Sequence, residues 1–210
     1  MRTVLDRQII VLRNQIAEMG LLCEEALNRA MRALREKDLT LAAEVIKYDD
    51  HINIMEKEIQ SLCYSLLVRQ QPVASDFRFI SASLKIVTDL ERIGDYATDI
   101  SEIVIEYSDD EFVYQDQLVA MNEDVIVMLR DSIEALMSMD IELANKVINY
   151  DDHVDKGLDE LKKKIADDMM SVQEHQSSML DAFMIAKYFE RCGDRCVNIA
   201  NAISVLQTGE

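Results

Sequence analysis

The sequence predicts an all-α protein built as two tandem three-helix bundles. Three observations carry this. The chain of 210 residues holds one proline and five glycines, too few breakers for the many turns that sheets require. Apolar residues make up 49% of it, enough for a core, and they recur at helical spacing. The chain also writes itself twice. RALREKDLTLAAEVIKYDDH (32–51) and EALMSMDIELANKVINYDDH (134–153) stand 102 positions apart and agree at eleven of twenty places. The string Glu-Arg-x-Gly-Asp at 91–95 returns at 190–194, 99 positions on. Three residues are therefore missing between the two landmarks in the second copy.

Each copy reads as three helices. In the first unit, residues 1–108, they run over 3–36, 39–70 and 75–107; in the second, 109–210, over 114–138, 141–173 and 177–207. Asp38 and Asp140 precede apolar-periodic runs and are read as N-caps. Ser75, just after Pro72, is read as the cap of the third helix, and Ser177 or Ser178 as its counterpart. RQQPVASDF and QEHQSSMLDAF are turns, where a deletion costs little. The acidic stretch YSDDEF (107–112) links the copies. Helices this long suit bundles, here related by a pseudo-twofold axis.

The third helix of each unit carries the oddest feature. At about 100° per residue, with Glu91 at zero, Asp95 falls near 40° and Asp99 near 80°. Ile86, Leu90, Ile93, Ala97, Ile100 and Val104 gather on the opposite side, at about 180° to 260°. Glu190, Asp194 and Asn198 repeat the stripe, opposite Ile185, Phe189, Cys192, Cys196 and Ile203. Solvation alone explains many acidic faces. Here the stripe recurs in both copies, although like charges at i, i+4 destabilise a helix by roughly a few tenths of a kcal/mol per pair. Gly94 and Gly193 interrupt it, each costing about 1 kcal/mol relative to alanine. A glycine there admits something bulky, a packed helix or a ligand shell. On the second helix, Asp49, Asn53 and Glu56 share a face, as do Asp151 and Asp155, with Asp159 one turn further. Two such stripes side by side form an all-oxygen site suited to hard or borderline cations: iron, manganese, magnesium or zinc.

Other features exclude or stay bland. A net charge of −18 repels phosphate backbones, so no nucleic-acid role is expected. Cys23, Cys63, Cys192 and Cys196 lie in apolar stretches without a CxxC pair and read as buried reduced thiols. The N-terminus lacks a signal-peptide core and no apolar run approaches the roughly 18 residues of a span, so a cytoplasmic protein is expected. His51 and His153 read as surface residues pairing with neighbouring acids, and Arg92 and Arg191 as salt-bridge partners of the stripe. No Glu-x-x-His, HExxH, GxGxxG, GxxxxGK or GxSxG is present, so no enzymatic activity is expected.

YDDHINIMEKEI, RQQPVASDFRFI, KIVTDLERIGDYATDI, the second YDDHVD and FERCGDRCVNIA together resemble the PhoU family of phosphate-uptake regulators. The similarity covers essentially the whole chain. It implies two three-helix bundles, commonly dimeric, whose Glu/Asp-x-x-x-Asp motifs bind iron or zinc clusters on the surface. It further implies a regulator placed between a phosphate ABC transporter and a membrane sensor histidine kinase, restraining uptake and the starvation response. Carried over by position, metal binding falls to Glu91, Asp95 and Asp99, and to Glu190, Asp194 and Asn198. From the second helix it falls to Asp49, Asn53 and Glu56, and to Asp151, Asp155 and Asp159. Asn198 replaces an acid and Leu158 matches Glu56, so unequal sites are expected. A metal-dependent phosphohydrolase using the same carboxylates, or a purely structural helical scaffold, are the alternatives the residues leave open.

Overall fold

The structure, a computed structural model, describes residues 2–70, 72–107, 112–171 and 175–208. It contains six helices: α1 (Arg2–Glu36), α2 (Leu39–Arg69), α3 (Ala74–Glu106), α4 (Gln115–Ser138), α5 (Ile141–Ser171) and α6 (Gln176–Thr208). The repeat is visible in the turns. Lys37 and Met139, 102 positions apart, both take the left-handed conformation. Behind them the Asp38 and Asp140 amides donate to Ala33 and Ala135 carbonyls, each at 3.0 Å, closing the preceding helix. Their carboxylates then accept from the Leu41 and Leu143 amides at 2.9 and 3.0 Å, opening the next one as N-caps.

The serine caps are a correction. α3 already begins at Ala74, with Val73 in extended backbone and no side-chain cap, so Ser75 sits inside the first turn. α6 begins at Gln176. Ser178 is fully buried instead and accepts from the Val113 amide at 3.0 Å, tying the start of α4 to α6. A long-range contact thus claims the hydroxyl that local spacing assigned to a cap. Of the acidic link, residues 108–111 lie outside the described residues.

The two bundles share a centre. α3 packs on α1 and α2, α6 on α4 and α5, and the bundles join through α3 against α6 and α1 against α4. α2 and α5 are the outer helices, and their core seams are narrow. Val45, Ile52, Ile59 and Leu66 are buried at strict seven-residue spacing, matched on α5 by Val147, Val154 and Leu161. That repeat is the signature of coiled-coil-like packing. Asp168 stands where Leu66 would recur, and the Tyr114 hydroxyl donates to it at 2.7 Å. The central helices bury wider faces: Leu12, Ile16, Met19 and Leu27 on α1, Ile80, Ile86, Leu90 and Ile93 on α3, and Phe189 on α6 are fully buried. Each such side chain contributes about 1.5–3 kcal/mol.

Across the α3–α6 seam two contacts are related by the internal twofold. Arg195 pairs with Asp89 at 3.2 Å, and Tyr188 stacks on Tyr96 with ring centroids 5.8 Å apart. Adding 99 to Asp89 and Tyr96 gives Tyr188 and Arg195, so the two pairs occupy equivalent positions. The helices therefore run antiparallel.

All four cysteines are buried and free, as their apolar settings predict. Burial pushes their thiols up, which holds them neutral. Among the described residues no helix is long and apolar enough to cross a membrane.

Candidate metal centre

Gly94 and Gly193 explain the geometry of both acidic groups. α2 crosses α3 at Gly94: a Cβ there would stand 2.9 Å from Ile52 Cδ1 and 3.3 Å from Asp49 Oδ1. α5 crosses α6 at Gly193, where a Cβ would stand 2.6 Å from Asp151 Oδ1. Of the two occupants the spacing allowed, the glycines admit a packed helix, and with it one carboxylate from that helix.

The first group draws Asp49 and Glu56 from α2 towards Glu91, Asp95 and Asp99 of α3. Thr88 donates to Glu56 Oε1 at 3.3 Å, bridging the helices. Asn53 donates its amide to Asp49 Oδ2 at 2.6 Å, while Asp49 Oδ1 is buried without a hydrogen-bond partner. Burial, then the charges of neighbours including Asp95, raises Asp49 and Glu91 above the usual carboxylate range. Asp99 is raised too, by burial and then by Glu102 and Asp95. The second group gathers Asp151 and Asp155 of α5 with Glu190 and Asp194 of α6. Burial, then Asp155, Asp194 and Glu190, pushes Asp151 up to about 6. Glu190 Oε2 is buried and unpartnered, while its Oε1 accepts from Lys187 at 2.6 Å.

Two placements differ from the sequence reading. The stripe is not a free outer face: the Glu91 side chain is only 18% exposed, because α2 leans over Gly94 beside it. Asn198 turns away from Glu190 and Asp194 and donates to Asp89 at 3.3 Å in the α3–α6 seam. Asp159 is exposed and makes no hydrogen bond or ion pair among the described residues. Arg92 bridges Asp95 at 2.8 Å and Glu91 at 3.6 Å, as expected. His51 lies on the surface, but its partner is the Tyr48 carbonyl at 3.3 Å rather than an acid. Sequence reasoning missed Thr88 and Lys187, which touch Glu56 and Glu190; nothing in single-helix spacing signals them.

The donor set fits a cation in chemistry: all oxygen, like-charged, partly desolvated, with one orphaned buried carboxylate oxygen in each group. As the side chains stand, no three His, Cys, Asp or Glu among the described residues converge closely enough to hold an ion. An ion could be held here only after the partly exposed carboxylates rotate towards one another.

The raised carboxylates set a pH dependence. Their folded values lie above their unfolded ones, so the folded chain binds more protons and stability falls as pH rises. For Asp151 the gain begins as pH drops through about 6. The melting temperature of metal-free protein is expected to rise as pH is lowered from about 7.5 to about 5.5. A fall over that window in scanning calorimetry contradicts the electrostatic assignment.

The model of the PhoU domain matches the chain twice, over residues 16–104 and 118–203. The chain belongs to the PhoU family. The PhoU relatives include the phosphate-specific transport system accessory protein PhoU of Serratia marcescens, 33% identical over 95% of this chain and 82% of that protein. The protein of the same name from Escherichia coli (strain K12) is 33% identical over 95% of this chain and 83% of its own. Among solved structures, PhoU from Pseudomonas aeruginosa superposes with a TM-score of 0.92 at 32% identity, covering 98% of this chain and 99% of that one. The phosphate transport system regulatory protein PhoU from Streptococcus pneumoniae gives 0.92 at 28% identity, with 98% of both chains covered. The PhoU fold of two three-helix units, expected from the repeat, is thereby shown.

Proposed function

We propose that this chain is a cytoplasmic, non-enzymatic accessory protein of a phosphate-specific transport system that binds metal at two unequal carboxylate groups. It acts as a homodimer of two-unit chains (1–108 and 109–210). It restrains a phosphate ABC transporter through the ATPase subunit, and a membrane sensor histidine kinase, so limiting uptake and transcription of the starvation response. The reading is carried by one observation: each copy of the family's unit brings a carboxylate group to the same place, where the middle helix crosses the third over a glycine.

In the first group Asp49, Glu56, Glu91, Asp95 and Asp99 supply oxygens; in the second Asp151, Asp155, Glu190 and Asp194 do so, with Asn53, Asp159 and Asn198 at the margins. Bound iron or zinc, or magnesium or manganese in the same hard-ligand role, supplies positive charge against the clustered acids. The chain itself fixes the two helices against each other at Gly94 and Gly193, which sets the spacing of the carboxylates. Arg92 and Lys187 hold their pairs in the absence of the ion. A neutralised, closed group presents a different surface to a partner from an open, repelling one.

The test is co-purification. Metal-loaded chain on a resin should retain the transporter's ATPase subunit, and chelation should release it. Equal retention before and after chelation removes metal from the mechanism, and no retention in either state removes this partner.

A further inference from the structure

The seam between α3 and α6 is an open groove along one face of the molecule, and its two ends differ in charge. At one end α3 and α6 enclose about 710 Å³, lined by Phe77, Arg78, Lys85, Ala202, Val205 and Leu206 among others. Phe77 and Val205 are 53% and 49% exposed. Arg78 Nε is buried with no hydrogen-bond partner, and neither Arg78 nor Lys85 has an ion-pair partner among the described residues. The acid of this end, Asp89, is already held by Arg195 and Asn198. Two uncompensated cations thus flank an apolar groove on a chain of net charge −18.

The internal repeat supplies the comparison. At the equivalent positions of the opposite end, 99 residues removed, Arg78 and Lys85 become Ser177 and Met184, while Asn201 and Val205 become Glu102 and Glu106. Ala82 becomes Asp181, and Leu180 stands in place of Ser81. Leu180 and Met184 are 55% and 40% exposed. Glu102, Glu106 and Asp181 have no cationic partner among the described residues. Arg191, which has no ion-pair partner among the described residues, stands beside Asp99 towards this second end, but Glu102, Glu106 and Asp181 outnumber it. Both ends therefore expose apolar side chains, one with a net positive charge and one with a net negative charge.

We infer that the α3–α6 face is the surface on which a second copy of this chain docks, the cationic end of each copy seated on the anionic end of the other. A twofold axis in the plane of the face, perpendicular to the two helices, makes both contacts at once and closes the assembly. The size suffices: 33 residues of helix span about 50 Å, and two helices about 10 Å apart offer roughly 1,000 Å² against the ~800 Å² per partner of a stable interface. The inference rests on the homodimer named above and assigns its face.

Light scattering on the full-length chain tests it. Wild type should show twice the 24.1 kDa chain mass. Arg78→Glu with Lys85→Glu, and separately Glu102→Lys with Glu106→Lys, should each weaken the dimer at least about tenfold. An equimolar mixture of the two variants should recover it, because each reversed end then meets its complement. Recovery also shows that both variants fold. Three outcomes overturn the assignment: a monomeric wild type, whose face is then left to another protein; a dimer indifferent to both reversals; or a mixture that stays monomeric. Retention of the transporter's ATPase subunit by a monomeric wild type would leave the adaptor reading standing while this one fails.

Discussion

Alanine at Glu91, Asp95, Glu190 and Asp194 together is expected to strip most of the iron or zinc from protein purified without chelator. Elemental analysis reads this directly. The metal-free variant should melt within about 3 °C of metal-free wild type, because two like-charged i, i+4 pairs disappear together with the Arg92 and Lys187 ion pairs, each worth roughly a few tenths of a kcal/mol. Loss of metal with retained stability separates a ligand role from a packing one. The two halves should contribute unequally. Glu91 and Asp95 face Asp49 and Glu56, whereas Glu190 and Asp194 face Asp151 and Asp155 with Leu158 at the position of Glu56. The Glu91/Asp95 pair should therefore account for the larger share. Unchanged stoichiometry in the fourfold variant removes the assignment of these residues.

Alanine at the two crossing glycines is expected to act in opposite directions. At Gly94 the new methyl meets Ile52 Cδ1 at 2.9 Å and Cγ2 at 3.2 Å, and Ile52 is fully buried between helices. Overpacking of this kind costs about 1–3 kcal/mol, against the ~1 kcal/mol that alanine gains in helix propensity. The net is destabilising by up to about 2 kcal/mol, and each kcal/mol lowers the melting temperature of a chain this size by roughly 2–4 °C. At Gly193 the clash is with Asp151 Oδ1 at 2.6 Å, and the next neighbours, on Met128, lie at 3.7 Å. A half-buried carboxylate can swing aside, so Gly193→Ala should leave the metal-free protein as stable as wild type or more so. Its cost falls on function: Asp151 leaves the group, and metal affinity of the second site should drop at least about tenfold. Thermal melts and a metal titration on the two variants check both signs. Equal destabilisation by both, with metal binding untouched, would show that the glycines serve packing alone.

Helix count, order and ends were legible because two copies of one pattern constrain each other. α2 was expected over 39–70 and runs Leu39–Arg69. Asp38 and Asp140 were readable as caps because capping is local, decided within three residues. Ser178 was not, since its partner Val113 is 65 positions away. The acids' angles on α3 followed from 3.6-residue periodicity, but their burial did not, because it depends on how closely α2 approaches. Asn198 illustrates the same limit. Its spacing matched Glu190 and Asp194, while its hydrogen bond goes to Asp89, 109 positions distant in the other unit.

The seam contacts Asp89–Arg195 and Tyr96–Tyr188 have an evolutionary consequence. If two separate copies of one unit met this way, a single pair of residue types would have to serve both contacts. Fusion onto one chain lifts that restriction, and the two contacts here have diverged, one into an ion pair, the other into stacked rings. Tethering also raises the effective concentration of each unit for the other to the millimolar range. Individual residues at the seam are then released from holding the halves together and are free to differ between the units, as the charges at the two ends do.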